Sequence, residues 1–158
     1  MARVFIGYAR EDLARAREVR RWLVDSRHEV FLDQDPQDGI PVGEPWRQRL
    51  GERLRWADAV VCLITSASVA SSWCTAEVVA AQARGSRLLP LRAEPEIDHP
   101  LLADVQHTDL TEDPDAARAA LLAALRRIDA AGGSSWPDGR SPFPGLRPFE
   151  VDQHRVFF

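Results

Sequence analysis

Apolar strand-like segments alternate with amphipathic helices over residues 1–130, and this alternation restricts the chain to few folds. Five segments have strand character: 3–8, 28–33, 57–65, 87–92 and the weaker 105–108. Between them, apolar residues recur at helical spacing, as at Leu13, Ala16, Val19 and Leu23. Such alternation predicts βαβ units, and therefore an α/β domain with a five-stranded parallel sheet and helices on both faces.

Individual segments refine this prediction. The segment 57–65 is apolar almost throughout, which is typical of a central strand covered on both faces. Pro90 should push its strand toward an edge or a bulge, because proline cannot donate a ladder hydrogen bond. Asp113 and Pro114 form a typical helix start. Three further helices are predicted, each with an apolar stripe. The first begins at Trp46 and carries Leu50 and Leu54, the second carries Cys74, Val78 and Ala81, and the last carries Ala117, Leu121, Leu125 and Ile128.

The loops after three of the strands are expected to meet at one edge of the sheet. They follow Tyr8, Asp33 and Thr65, and ligands of open parallel sheets bind at the carboxyl ends of the strands. The segment S-S-W-C-T-A-E (71–77) comes directly after the third loop. It places Trp73 and Glu77 four residues apart, on one face of a helix.

Composition excludes several classes of function. The net charge of −4 leaves no basic footprint for nucleic acid. All 20 basic residues are arginine, which rules out Schiff-base, P-loop and phospho-receiver chemistry that requires lysine within these residues. A phospho-receiver also needs an aspartate at the end of the third strand, where Ile64 and Thr65 stand.

Cellular location and metal content are predicted from what the sequence contains. Cys62 and Cys74 lie in apolar stretches and are expected to be buried free thiols in a reducing cytoplasm, Cys74 being a core residue rather than a nucleophile. The four histidines lack metal-ligand spacing. No apolar run approaches the length of about 18 residues that a membrane span needs. We expect a cytoplasmic protein with no metal, signal peptide or membrane span.

Four motifs together carry a resemblance to a known family. They are V-F-I-G-Y-A-R-E-D (4–12), F-L-D (31–33) before G-I-P-V-G-E-P-W (39–46), V-V-C-L-I-T-S-A-S-V-A-S-S-W-C-T-A-E (60–77), and the last helix. In this order they resemble a bacterial Toll/interleukin-1 receptor (TIR) domain over residues 1–130. The resemblance implies a flavodoxin-like, three-layer fold. Members usually have Ser-Tyr-Ser where this chain has Gly7-Tyr8-Ala9, so two hydroxyls of the motif are absent.

The amino-acid composition changes after residue 130. Residues 131–141 have the composition of a linker, and P-F-P-G-L-R-P-F (142–149) and the final V-F-F are too apolar for a free tail. The tail resembles the opening of a STAND-type NTPase module, which often follows a bacterial TIR domain. We therefore expect residues 142–158 to be the truncated start of that module.

The resemblance implies one of two functions. Many bacterial TIR domains cleave the nicotinamide–ribose bond of NAD⁺, which is their substrate rather than a cofactor, and others are scaffolds for protein assembly in signalling. In the cleaving members the residue matching Glu77 is catalytic, and the aromatic residue matching Trp73 stacks on nicotinamide. Such an enzyme would be the effector of a signalling or antiphage defence protein, switched on when its downstream module oligomerises.

Other residues at the same edge are candidate substrate contacts. Tyr8 lies in the first motif, Arg10 suits the paired oxygens of the NAD⁺ diphosphate, and Asp33 suits a ribose hydroxyl or a water. From the residues alone, structural alternatives remain open. Glu77 near a helix start is favoured by the helix dipole, Trp73 suits a core, Arg10 a solvated surface and Asp33 a solvated loop.

The loop 34–45 is predicted to mediate assembly. It is long for a βα connection, which usually has roughly 2–6 residues. Its tip, Gly39, Ile40, Pro41, Val42 and Gly43, is apolar and is expected to dock on a neighbouring protomer, head to tail. Asp33, Asp35 and Glu44 mimic calcium ligands, but Asp38 stands where a calcium loop needs its glycine, so we expect no calcium site.

Overall fold

A computed structural model describes residues 1–32 and 46–132. Its five strands are β1 (Arg3–Gly7), β2 (Glu29–Leu32), β3 (Ala59–Ile64), β4 (Arg87–Arg92) and β5 (Thr108–Asp109). Its five α-helices are α1 (Leu13–Asp25), α2 (Trp46–Trp56), α3 (Ser66–Ala70), α4 (Ser72–Ala83) and α5 (Pro114–Ala130). Two short 3-10 turns, Arg10–Asp12 and Pro100–Leu102, precede α1 and β5.

The strands form one parallel sheet in the order β2-β1-β3-β4-β5. This confirms the predicted α/β class, and the strand order is that of flavodoxin-like folds. The order reverses between β1 and β3, so the carboxyl ends of these two strands flank the crevice where such sheets bind ligands. All six residues of β3 are buried, as its apolar sequence predicted.

Two apolar clusters hold the three layers together, one on each face of the sheet. On one face, α1 and α5 cover the sheet through Ala16, Val19, Leu23, Ala117, Leu121, Leu125 and Ile128. On the other face, α2 and α4 cover it through Leu50, Leu54, Val78 and Ala81. These residues are the predicted helical stripes, together with the buried Cys74. The helices therefore sit where their apolar periodicity requires.

The last helix begins as predicted. Asp113 is its N-cap, and Oδ1 of its side chain accepts hydrogen bonds from the backbone N–H groups of Asp115 and Ala116, at 3.1 and 3.0 Å. Pro114 occupies the first helical position, where its missing N–H costs nothing. The cap fixes where the chain turns from β5 back across the sheet.

The fifth strand differs from its prediction. Residues 105–107 are not in a strand; β5 is only Thr108–Asp109, which pairs with Leu91 and Arg92 of β4. This short pairing also explains Pro90, which lies in β4 opposite Cys62 of β3. Because β5 begins beside Leu91, Pro90 has a neighbouring strand on one side only among the described residues. The proline thus occupies a local edge, as its missing N–H predicted.

Several predictions concern residues outside the described ranges. These are the site residue Asp33, the assembly loop Gly39–Gly43, most of the linker 131–141, and the NTPase-like segment 142–158. They stay predictions. None of the helices in the described part of the chain is long and apolar enough to cross a membrane.

Candidate active site

The start of α4 brings an indole and a carboxylate together. Ser71 caps the helix, its Oγ accepting the N–H of Cys74 at 3.2 Å. Trp73 then lies in the first turn and Glu77 one turn later, on the same face. The indole Nε1–H donates to Oε1 of Glu77 at 2.7 Å. The predicted pair is therefore in direct contact, and the carboxylate is held by a charge-assisted hydrogen bond.

The carboxylate of Glu77 lies against the end of β1. Glu77 is buried, with 5% of its surface exposed. A Cβ placed on Gly7 would lie 3.0 Å from its Oε2 atom, so a side chain there would push the carboxylate away by a few tenths of an ångström, and glycine allows the close approach without that shift. Burying a carboxylate costs several kcal/mol unless it is hydrogen-bonded, and here the indole supplies a bond. The result is an acid fixed at the carboxyl end of a central strand.

A narrow pocket opens beside this carboxylate, on the face covered by α2 and α4. Glu77, His99 and the thiols of Cys62 and Cys74 line it, and most of the remaining wall is apolar: Val60, Leu63, Ile64, Val78 and Leu102. Its free space is about 10 Å³, room for roughly one water. The pocket therefore joins one carboxylate to an apolar slot that is almost closed in this state.

Both cysteines line the same pocket and are unreactive by their surroundings. Cys62 and Cys74 are free and buried. Burial, assisted by the nearby Glu77 carboxylate, raises the pKa of Cys62 far above its ordinary value. Burial also raises the pKa of Cys74 to about 11, although the hydrogen bond with Ser71 opposes this. Both stay protonated at neutral pH, which agrees with the predicted core role of Cys74.

A second carboxylate, that of Asp12, links the segments that follow β1 and β3. Oδ2 of Asp12 accepts a hydrogen bond from Oγ1 of Thr65 at 2.5 Å. Burial raises the pKa of Asp12, and the hydrogen bond from Thr65 partly opposes that shift. The next residue, Ser66, donates from its N–H and hydroxyl to the Glu94 carboxylate at 2.9 Å each. The loops after β1, β3 and β4 are thereby tied to one another.

Comparison with protein families identifies the family of this chain. The family model described as "TIR domain" matches residues 4–125, which is most of the chain and all of the sheet except Arg3. The chain belongs to the TIR-domain family. No curated protein matches the sequence of this TIR domain.

Solved structures share the fold at low sequence identity. The TIR domain of a Toll-related receptor from Hydra magnipapillata is 15% identical, with a TM-score of 0.66, covering 82% of this chain and 99% of that one. A 2-deoxyribosyltransferase from Bacillus psychrosaccharolyticus is 18% identical, with a TM-score of 0.55, covering 73% of this chain and 90% of that one. A CMP N-glycosidase from Clostridium botulinum is 16% identical, with a TM-score of 0.53, covering 80% of this chain and 98% of that one. These likenesses establish the fold of the TIR domain.

The other predicted site residues fall in different places. Tyr8 is buried, with 3% exposed, in the cluster under α1 and α5, so it packs on the face opposite the pocket. Arg10 is exposed in the turn after β1. Asp33 and the loop tip Gly39–Gly43 lie outside the described residues. Within residues 1–32 and 46–132, no group of three or more His, Cys, Asp or Glu side chains could hold a metal ion.

Two polar residues at the TIR domain's site were not predicted from the sequence. Asp12 lies at the end of the first motif, so an acid after the first strand was the available signal. His99 lies seven residues after Arg92, the last residue of β4, and no local pattern marks it. It enters the pocket only because the chain after β4 folds back, with Arg92 donating from Nε to the carbonyl oxygen of Ile97 at 3.0 Å.

The contact between Gly7 and Glu77 gives a direct prediction. In Gly7→Ala, the added methyl forces the carboxylate to move by a few tenths of an ångström, and misplaced catalytic groups lose rate steeply. We expect turnover of the substrate proposed below to fall about tenfold, with the free energy of unfolding changed by about 1 kcal/mol or less. Steady-state kinetics and urea denaturation measure the two quantities.

Gly51→Ala is the matched control. Its methyl would meet Nη2 of Arg84 at 2.7 Å, but that is the far end of a flexible side chain, and alanine favours the helix α2. Activity should therefore be unchanged in this variant. Equal activity of Gly7→Ala and Gly51→Ala would show that the position of the Glu77 carboxylate does not limit the reaction.

Proposed function

We propose that this TIR domain is an NAD⁺ glycohydrolase, which cleaves the bond between nicotinamide and ribose. The observation that carries the proposal is the buried carboxylate of Glu77, which is hydrogen-bonded by Trp73 and lies against Gly7 at the carboxyl ends of the central strands. An ionised group fixed in this way stabilises a developing positive charge without having to reorganise.

The chemistry needs one carboxylate. When the C1′–N1 bond breaks, its electron pair goes to the pyridinium nitrogen, which leaves as neutral nicotinamide, and the ribose becomes an oxocarbenium-like cation. Glu77 would stabilise that cation, and water then adds to C1′ and loses a proton. Because the leaving group is already cationic in NAD⁺, no general acid is required, unlike the carboxylate pair of ordinary glycosidases.

The fold neighbours support this class of reaction. By their names, one acts as a deoxyribosyltransferase and another as an N-glycosidase of a nucleotide. Both reactions concern the bond between a sugar and a base. The proposal places the same class of bond beside Glu77, with NAD⁺ as the substrate.

Trp73 tests the geometry of this proposal. Trp73→Ala removes both the π-face proposed to stack on nicotinamide and the N–H bonded to Glu77, so activity should fall about a hundredfold. Trp73→Phe keeps a flat face and loses only the N–H bond, so it should retain much of the activity, within about tenfold of the unmodified domain. Nicotinamide release under saturating and limiting NAD⁺ measures both.

Trp22→Phe, at a half-buried tryptophan on α1 against Arg118, is the control for losing an indole elsewhere. It should leave activity unchanged. If Trp73→Ala unfolds the domain, the residue is a core residue and the stacking role fails. If Phe and Ala at position 73 lose activity equally, the N–H rather than the ring face is what matters.

A non-catalytic scaffold that mediates assembly in signalling is the second candidate. It is favoured by the narrow pocket, because about 10 Å³ of free space does not hold a nicotinamide ring. A scaffold would self-associate and release no nicotinamide. As an enzyme, the domain would be the effector of a signalling or antiphage defence protein. In either case we propose that it works in the cytoplasm and that self-association through the loop after β2 is driven by a downstream module of the same chain.

The deciding experiment is incubation of the purified domain with NAD⁺, both dilute and clustered on a multivalent support, with nicotinamide followed by chromatography. The proposal expects release by the clustered sample that depends on Glu77. Assembled domain that releases no nicotinamide would overturn the enzymatic proposal in favour of the scaffold.

A further inference from the structure

His99 holds a defined protonation state in the pocket. Its Nδ1 atom accepts the backbone N–H of Leu101 at 3.2 Å and so caps the turn Pro100–Leu102. Burial lowers the pKa of His99, so the ring is neutral at neutral pH. In a neutral imidazole one nitrogen accepts and the other carries the proton. The proton therefore sits on Nε2, which is a hydrogen-bond donor.

That donor has no partner among the described residues. His99 is 95% buried, and its Nε2 atom is buried without a hydrogen bond. Buried polar groups in native proteins are nearly always paired, so each exception calls for an explanation. The cap engages Nδ1, so Nε2 is the nitrogen left for another partner. Within residues 1–32 and 46–132, this donor is therefore available to an acceptor atom that enters the pocket.

The surroundings of the donor define what would satisfy it. His99 and Glu77 line the same pocket, and the walls around them are largely apolar, including Val78 and Leu102. Such walls suit a flat aromatic ring, and the N–H suits one acceptor oxygen on that ring. A pyridine that carries a carboxamide has this chemistry, and its ring nitrogen would be bonded to the ribose carbon that faces Glu77.

We propose that His99 is a positioning residue whose Nε2–H donates a hydrogen bond to the carboxamide oxygen of the nicotinamide group of NAD⁺. This inference rests on the proposed function and adds the residue that selects and orients the leaving base. The nicotinamide ring enters when the pocket widens. The wall that moves is the short turn from His99 to Leu102, because this part of the lining belongs neither to the sheet nor to an α-helix. Short turns open at less cost than sheet or helix.

Two variants separate the halves of the imidazole. His99→Asn places an amide oxygen near the position of Nδ1, so it keeps the cap on Leu101 and removes the donor in the pocket. His99→Gln places an amide N–H near the position of Nε2, so it restores the donor and loses the cap. Thermal denaturation of both reports on the structural role, because only the second variant loses the capping bond.

The test compares two dinucleotides with clustered domain. One is NAD⁺, and the other is its thionicotinamide analogue, in which a poorly accepting sulfur replaces the carboxamide oxygen. We expect His99→Asn to lower kcat/KM for NAD⁺ about ten- to hundredfold, mainly through KM, and to change the value for the analogue by less than about threefold. His99→Gln should recover part of the loss with NAD⁺.

The outcomes distinguish this inference from the function on which it rests. Equal losses with both dinucleotides mean that His99 is merely structural, and no loss with either means that it does not contact the base; each result overturns the inference while leaving the glycohydrolase intact. If the clustered, unmodified domain cleaves neither dinucleotide, the proposed function fails and His99 loses its proposed ligand with it.

Discussion

Glu77→Gln should lower nicotinamide release by about a hundredfold or more while leaving the fold intact. Glutamine keeps the length of the side chain and an oxygen that accepts the indole N–H of Trp73, but it removes the charge beneath the forming cation. Loss of one preorganised electrostatic group typically costs this much in rate. The measurement is kcat for NAD⁺ with the domain clustered, alongside thermal denaturation.

Glu94→Gln is the matched control for this result. Glu94 is another carboxylate at the same edge of the sheet, where it accepts hydrogen bonds from Ser66, and it does not line the pocket. Its activity should be close to that of the unmodified domain. Near-normal nicotinamide release by Glu77→Gln would move catalysis elsewhere at this edge, and Asp12→Asn would then be the next variant to measure.

Specific activity should rise steeply as the domain is concentrated or tethered, because we propose that docking of the loop tip completes the site at a junction between protomers. Tethering raises the effective concentration of neighbours to the millimolar range. We expect a gain of at least about tenfold over a dilute sample, measured as nicotinamide released per protomer while light scattering follows assembly.

Val42→Asp places a charge at the apolar loop tip and should abolish this rise without unfolding the monomer. Val79→Asp is its control, since Val79 is already half exposed on α4 and the same substitution there should leave the rise in place. Full activity of a dilute sample that is demonstrably monomeric would contradict the proposed dependence on assembly.

The fold could be predicted because its signals are local. A strand covered on both faces is apolar throughout, and a helix on the sheet repeats its apolar residues, so β3 and α5 were evident in the sequence. The strand β5 was misplaced because two paired residues carry no pattern of their own. Its position depends on which part of β4 is left without a neighbour beyond Pro90, which is a property of the sheet.

The site was predictable only in part, for a related reason. Trp73 and Glu77 could be paired because four residues along a helix return to the same face. Tyr8 was expected beside them because it follows β1, but successive side chains of an extended chain point to opposite faces, and its neighbour Gly7 has the pocket side. His99 could not be found, because only the tertiary path of the chain after β4 brings it into the pocket.

The contact between Gly7 and Glu77 makes these positions mutationally dependent on each other, although 70 positions separate them. The penalty for a side chain at position 7 exists only while a carboxylate occupies the space above it. Shortening Glu77 to alanine would make a methyl at Gly7 nearly neutral, so the two changes together should cost less than their sum. The residue at one position thus determines which substitutions are tolerated at the other. This epistasis arises because the backbone of β1 passes so close to the Glu77 side chain.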